Sequence, residues 1–369
     1  MNMRKHKLTV DMFNFSEDLS KIEPFASDSW SGTDLKRLRR GKVGGQFWVA
    51  YISCHTQYKD AVQSFIEQID LIHQLVQKYP DDLQWADSAD SIGEAFEAGK
   101  VASLIGVEGG HAIGNSLAIL RSFYRLGARY MSLTHNCNTP WADASPSENE
   151  HYLAKNNGLS KFGNHVVVEM NRLGMMIDLS HVSSKTMHDV LDITEAPVIF
   201  SHSGARAIAN HTRNIPDDVL KRVTVNGGIV MVVFFPCIIT NTYNAIIGTC
   251  NKTKTSIDDV IKHINHIRKI AGVDHIGIGS DYDGLPEYPD GLEDVSKFPK
   301  LFESLIEDPE NVWTDEELEK VAGKNLLRVF HEVERVRDRF SSRKADNTWI
   351  EKHYLDGNNE CSTKQQLVV

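Results

Sequence analysis

The sequence predicts an α/β fold, a (β/α)8 barrel of the TIM type whose first strand is lacking or replaced. Three observations carry that expectation. Short apolar runs alternate with amphipathic helical stretches, the order of parallel βα units. Four of the runs end in a group that can hold a metal or move a proton. These are Ala102–Val107 before Glu108, Met175–Leu179 before Ser180-His181, Val198–Phe200 before Ser201-His202, and His275–Ser280 before Asp281. A polar residue at the C-terminal tip of a strand, followed by a helix, is how such a barrel builds its active site. The third observation is a shortage, since only seven strands can be counted.

Those seven are Gln46–Ile52, Ala102–Val107, Arg129–Thr134, Met175–Leu179, Val198–Phe200, Ile229–Phe235 and His275–Gly279, each an apolar or β-branched run. Between them, Ala61–Tyr79 puts Val62, Phe65, Ile66, Ile69, Ile72, Leu75 and Val76 on one helical stripe. Leu117–Leu126, Phe162–Leu173, Ser184–Ile193, Asp217–Val223 and Ile257–Ala271 read as further helices. A last one runs over Thr314–Glu334, opened by a capping box in which Glu317 follows Thr314 by three residues. An eighth strand would have to come from Lys7–Phe13 or elsewhere, and an unclosed edge is expected to expose apolar surface and limit solubility. Residues 1–338 form the barrel, and 339–369 read as a polar C-terminal tail or arm.

A chain of 369 residues accommodates one barrel of about 250 residues with insertions. Its 41% hydrophobic and 24% charged residues are ordinary for a folded domain. The formal charge of −10 argues against a nucleic-acid partner, which would call for a basic face. No run of about 18 apolar residues is available to span a bilayer. The basic start Met1–Lys7 leads into no apolar stretch of a secretory signal, and the end lacks the hydrophobic tail of a lipid-anchor signal. The five cysteines (54, 137, 237, 250 and 361) fit no CxxC metal spacing, and their odd number leaves one for a free thiol or a cross-chain bond. Sequons at Asn14, Asn210 and Asn251 would be glycosylated only in a secreted product.

Glu108, His181 and His202 form a candidate ligand set. Catalytic zinc takes three such protein ligands and leaves a fourth position for water. The two histidines lie one βα step apart, so adjacent strands present both to the same mouth. A lone histidine at a strand end is ordinarily a hydrogen-bonded structural residue; three ligand types at corresponding tips reverse that reading. Asp281, in Gly279-Ser280-Asp281-Tyr282-Asp283-Gly284, either stabilises a turn or handles a proton or a substrate ammonium. His135, at the end of its strand, and Arg213 suit a developing oxyanion or a substrate carboxylate. His111 is expected beside the ligands rather than among them, while His151, His165, His188, His263 and His266 are expected to face solvent.

Several stretches together resemble the membrane (renal) dipeptidase family of zinc peptidases. They are Leu104-Ile105-Gly106-Val107-Glu108-Gly109-Gly110-His111, Leu133-Thr134-His135-Asn136-Cys137-Asn138-Thr139-Pro140-Trp141-Ala142-Asp143, Asp178-Leu179-Ser180-His181-Val182-Ser183 and Ile199-Phe200-Ser201-His202-Ser203. Lys42-Val43-Gly44-Gly45-Gln46-Phe47-Trp48 and Gly291-Leu292-Glu293-Asp294-Val295-Ser296-Lys297 extend the likeness, which covers about residues 10 to 335. The resemblance implies a barrel holding two zinc ions that hydrolyses dipeptides with a free C-terminal carboxylate. By motif, Glu108 would bridge the metals, with His181 and His202 completing the second site. His135 and Arg213 would bind substrate or its tetrahedral oxygen, and Asp281 would handle the amine or the proton. It further implies a Cys54–Cys137 disulfide, a homodimer joined through Cys361, and a lipid-anchored or secreted protein at the extracellular face of the membrane.

One departure stands out. The family's first strand ends in a His-x-Asp pair that completes the first metal site. Counting back from Asp11-Met12-Phe13-Asn14, those positions hold Asn2 and Arg4, and His6 is out of register. The chain is therefore expected to support one zinc, with impaired activity, or to be an inactive paralogue that binds or dimerises.

Overall fold

The computed structural model describes residues 9–27, 31–149, 152–240, 243–244, 249–250 and 255–355. Asn2, Arg4, His6, His151, the sequon at Asn251 and Cys361 lie outside these residues, as do the first two residues of the Lys7–Phe13 candidate strand. The described remainder of that candidate, Thr9–Phe13, forms a turn and no strand.

The strands are β1 (Gly45–Tyr51), β2 (Leu83–Trp85), β3 (Val101–Glu108), β4 (Ala128–Ser132), β5 (Met176–Asp178), β6 (Val198–Ser203), β7 (Ile229–Val232), a separate antiparallel pair β8 (Tyr243–Asn244) and β9 (Thr249–Cys250), and β10 (Ile276–Ile278). Seven of them form one curled parallel row, β1-β3-β4-β5-β6-β7-β10. All seven expected strands are present, with ends shifted by a residue or a few. The unexpected β2 pairs only with the start of β3, through Leu83↔Val101 to Trp85↔Ser103. Since β1 occupies one edge of β3 from Ala102 onward, β2 sits on the other edge, which β4 takes over at Ile105. Among the described residues nothing pairs β10 with β1, so the row is a TIM-type barrel without closure.

Alternation along the strands sorts their side chains into two apolar layers. Leu104, Tyr130, Met176, Ile199, Ile229 and Met231 point inward and meet Val329, Phe330, Val333 and Val336 of the helix Asn325–Arg339. Ile105, Val107, Met131, Ile177, Val198, Phe200, Val230 and Val232 point outward under the surrounding helices. Glu108, Ser132, Asp178 and Ser201 share the parity of the inward set, which places polar groups inside the upper mouth. Gly106 is required there: a Cβ would lie 2.2 Å from the ring of Tyr130.

The unclosed edge is covered. Val10, Phe15, Leu19, Phe25, Leu35 and Leu38 form a third cluster with Val295, and Trp48, Tyr282 and Phe298 pack against it. The Gly32 amide donates to Asp283 Oδ1 at 3.0 Å. Much of the apolar surface beside the gap is thus covered by the stretch before β1, while Met12 stays exposed and Phe47, Trp48 and Val49 are half-buried.

The predicted helix Thr314–Glu334 begins at the expected capping box but is not continuous. Asp315–Glu319 and Asn325–Arg339 flank a wide turn, Lys320–Lys324, in which Gly323 leaves helical dihedral values. Beyond Arg339 the chain stays on the body as far as Ile350, which packs against the main core. Arg121 Nη1 donates to the Asp346 carbonyl at 2.6 Å, and His165 Nδ1 lies 2.6 Å from the Asp346 carboxylate.

Candidate metal centre

The strands deliver their tip residues to one point. Glu108 Oε1 lies 3.1 Å from His181 Nε2 and 3.2 Å from His202 Nε2, and the two imidazole nitrogens are 2.9 Å apart. Ligand atoms around a tetrahedral zinc, at about 2.05 Å each, stand roughly 3.3 Å from one another. The triangle is therefore close to that of a ligand set.

Hydrogen bonds at the far side of each ring show that the residues fit a cation. His181 Nδ1 meets Asn136 Oδ1 at 3.0 Å; with the amide oxygen accepting, the ring proton sits on Nδ1. His202 Nδ1 meets Ser201 Oγ at 2.7 Å, and that hydroxyl donates its own proton to Asp178 Oδ2 at 2.6 Å. Ser201 must then accept from His202 Nδ1. Both Nε2 lone pairs consequently face each other and the Glu108 carboxylate. Such an arrangement of acceptors is unfavourable unless a positive charge sits between them.

The three groups shift in different directions. Burial pushes the Glu108 carboxyl up, but the adjoining His181 and His202 rings, and then His135, outweigh it and hold Glu108 well below the usual carboxylate range. Burial, then the charge of Arg213, holds His181 well below an ordinary imidazole. Burial also depresses His202, but Asp281 and Glu108 outweigh it and raise that ring.

His135 stands beside the triangle, with Nε2 at 3.9 Å from Glu108 Oε1. Its ring lies between those of His181 (centroids 4.2 Å apart) and Tyr51 (4.6 Å), tilted against both, and burial pushes it down to about 4. Arg213 is buried, with Nη2 donating to the His202 carbonyl at 3.1 Å and Nη1 to Ser203 Oγ at 3.4 Å. Burial lowers it to about 10, opposed by the charges of Glu108, Asp281 and Asp178. Asp281 is half-buried, and desolvation pushes it up to about 6 against the pull of His202. His181 (φ 71°) and Asp281 (φ 61°) both adopt left-handed backbone, a cost tolerated where the surroundings over-determine a site.

The structure thus brings Glu108, His135, His181, His202, Arg213 and Asp281 into one electrostatically coupled group. His111 lies beside the group, as expected: buried, with Nε2 2.9 Å from the Ile52 carbonyl, and within electrostatic reach of Glu108 and His135. Cys54 and Cys137 form the implied disulfide and anchor the loop carrying His135 to the end of β1. The expectation that His263 faces solvent is corrected: it is fully buried, accepts from the Ala205 amide at Nδ1 and lies 2.9 Å from the Ile239 carbonyl. His188 and His266 pair with Asp218 and Asp217. Sequence reasoning missed Asp178, which is fully buried and accepts from the Ser180 and Ser201 amides and from the Ser132 and Ser201 hydroxyls. Its position in the same parity class as Glu108 was the available signal.

Known proteins share this fold. A probable dipeptidase, PvdM from Pseudomonas aeruginosa, superposes with a TM-score of 0.75 at 23% identity, covering 87% of this chain and 92% of that one. Dipeptidase AC, a metallopeptidase of family M19, gives 0.73 at 24% identity over 82% and 89%. A metallopeptidase from Rhodobacter sphaeroides, solved with a phosphinate mimic of the dipeptide L-Ala-D-Ala, gives 0.72 at 23% identity over 82% and 90%. At such identities the likeness speaks for the fold. The family profile described as membrane dipeptidase (peptidase family M19) matches residues 6–344, nearly the whole sequence. This chain belongs to the membrane dipeptidase family, peptidase family M19, a family of metal-dependent dipeptidases.

Proposed function

We propose that the protein is a zinc dipeptidase that cleaves the single peptide bond of dipeptides bearing a free C-terminal carboxylate. The observation that carries this reading is the convergence of Glu108 Oε1, His181 Nε2 and His202 Nε2 within 3.2 Å of one another, both lone pairs aimed inward. The dipeptide mimic held by the Rhodobacter relative supports the substrate class. Zinc, when bound by Glu108, His181 and His202, supplies a Lewis acid that makes water nucleophilic near neutral pH. Neutral His135 donates a hydrogen bond to the oxygen of the carbonyl under attack. Arg213, its guanidinium fixed by the His202 carbonyl and Ser203, binds the substrate carboxylate. Asp281 pairs with the substrate ammonium or passes a proton to the leaving amine, a task suited to a carboxyl near 6.

This site supports one zinc, because the two remaining family ligands correspond to Asn2 and Arg4, neither able to replace them. That substitution also favours the second reading, an inactive paralogue. Zinc content measured by mass spectrometry, alongside a glycyl-dipeptide assay, separates the two. One zinc per chain with turnover supports an impaired enzyme; loosely held zinc without turnover supports the paralogue. Asn2→His/Arg4→Asp is expected to raise both the zinc content and the rate, and equal turnover would refute impairment. The Cys54–Cys137 disulfide and the exposed Asn14 and Asn210 support an extracellular, glycosylated protein, either secreted or lipid-anchored at the membrane; a homodimer through Cys361 rests on the family resemblance alone. Gel mobility with and without glycosidase or reductant tests this.

A further inference from the structure

We propose that Asp178, acting through Ser201, is the residue that sets the tautomer and aim of His202. The inference rests on the reading of Glu108, His181 and His202 as metal ligands. Asp178 is the last residue of β5 and faces the barrel interior directly below them, fully buried. Its Oδ1 accepts from the Ser180 amide at 3.0 Å and the Ser201 amide at 2.8 Å, and its Oδ2 accepts from the hydroxyls of Ser201 and Ser132. Every contact is a donation to the carboxylate, from three neighbouring strand ends. With four donors converging on its two oxygens, the carboxylate acts as an acceptor throughout. The Ser201 hydroxyl proton is therefore committed to Asp178, and its two lone pairs can only accept. His202 Nδ1 meets one of them at 2.7 Å and must carry the ring proton, which leaves Nε2 unprotonated toward Glu108 and His181.

The arrangement is a relay of carboxylate, hydroxyl and imidazole, in which the hydroxyl's donor capacity is used up by the carboxylate. Without Asp178, the Ser201 hydroxyl would be free to donate to Nδ1, moving the ring proton to Nε2 and blocking the ligand position. The same carboxylate clamps the tips of β4, β5 and β6 together, since Ser132 and Ser201 stand on the strands flanking it. The Ser180 hydroxyl adds a second tie, 3.0 Å from the His202 amide. Asp178 is a positioning residue: it touches neither substrate nor metal.

The experiment measures zinc affinity by competition with a chromophoric chelator for the full chain and for Ser201→Ala, Ser201→Thr and Asp178→Asn. Loss of an outer partner of a metal-bound histidine typically weakens affinity about 10- to 100-fold. Ser201→Ala and Asp178→Asn are expected to show that loss, and Ser201→Thr, which keeps the hydroxyl, to stay near the parent. Nitrogen-15 NMR of the metal-free protein provides a second readout. The His202 ring should be the Nδ1–H tautomer in the parent and a mixture in Ser201→Ala. Unchanged affinity and tautomer in Ser201→Ala would overturn the proposal while leaving the metal reading intact. A parent that binds no zinc would overturn the metal reading, and the tautomer comparison would still decide the relay. If Asp178→Asn fails to fold, Ser201→Ala carries the test alone.

Discussion

Removing the Cys54–Cys137 disulfide tests how the site is held. The bond joins residues 83 apart in sequence, with Cα atoms 6.0 Å apart. The loop-closure relation assigns a cross-link of that span about 4.5 kcal/mol of stabilisation at 25 °C, through the lost freedom of the unfolded chain. A chain of 369 residues unfolds with an entropy on the order of 0.75 kcal/mol/K, so the double variant Cys54→Ser/Cys137→Ser should melt about 6 °C lower. The chemistry should suffer as well. Cys137 lies two residues beyond His135, and Cys54 three beyond Tyr51, whose ring lies 4.6 Å from that of His135. Freed from the tie, this pair loses its fixed position, and misplacement of a reacting group by about 1 Å costs up to a hundredfold in rate. Calorimetry of both proteins without reductant, with dipeptide hydrolysis under the same conditions, supplies the readouts. A midpoint and a kcat both unchanged within error would refute the reasoning.

Three further perturbations follow from particular contacts. Glu169 is buried and receives Arg172 Nε at 2.7 Å and Arg121 Nη1 at 2.9 Å; burial raises its carboxyl, but these bonds outweigh it and lower it. A depressed folded pKa means stability that is present above the unfolded value near 4.5 and lost as pH falls through the folded one. Glu169→Gln should cost about 3 kcal/mol at pH 7, with the gap to the parent closing on the acid side of that window; a gap constant with pH in urea titrations would count against it. Gly279 approaches β6 so closely that a Cβ would lie 1.9 Å from the Ser201 carbonyl oxygen, so Gly279→Ala should cost about 1–3 kcal/mol and shift Asp281, lowering kcat. Parent-like stability and rate would show the approach to be unimportant. Arg213→Met should raise KM about 10- to 150-fold, the worth of a charged hydrogen bond; an unaltered KM would remove Arg213 from carboxylate binding.

Much of the fold was legible because its signals are local. The four apolar runs ending in Glu108, His181, His202 and Asp281 are strands in the structure, or end within three residues of one, and their polar ends converge as expected. Leu83–Trp85 escaped notice since three residues carry no periodicity, and it is a strand only because β3 offers it a free edge. His263 looked like one more polar residue on a helix, yet its ring is buried with both nitrogens engaged by distant backbone. The break at Lys320–Lys324 interrupts a pattern that reads as unbroken.

Strand periodicity and the order of βα units are written along the chain, so the residues that end the strands, and hence the side chains that reach the mouth, can be read from it. Their aim is set in the assembled fold. The lone pairs of His181 and His202 are directed by Asn136, Ser201 and Asp178, which come from separate loops and strands. Hydrogen-bond direction depends on which donors and acceptors meet in space, and no local pattern encodes that meeting. The cover over the unclosed edge is of the same kind: Phe15, Leu19 and Leu38 acquire their role only when the chain before β1 folds across Tyr282 and Phe298.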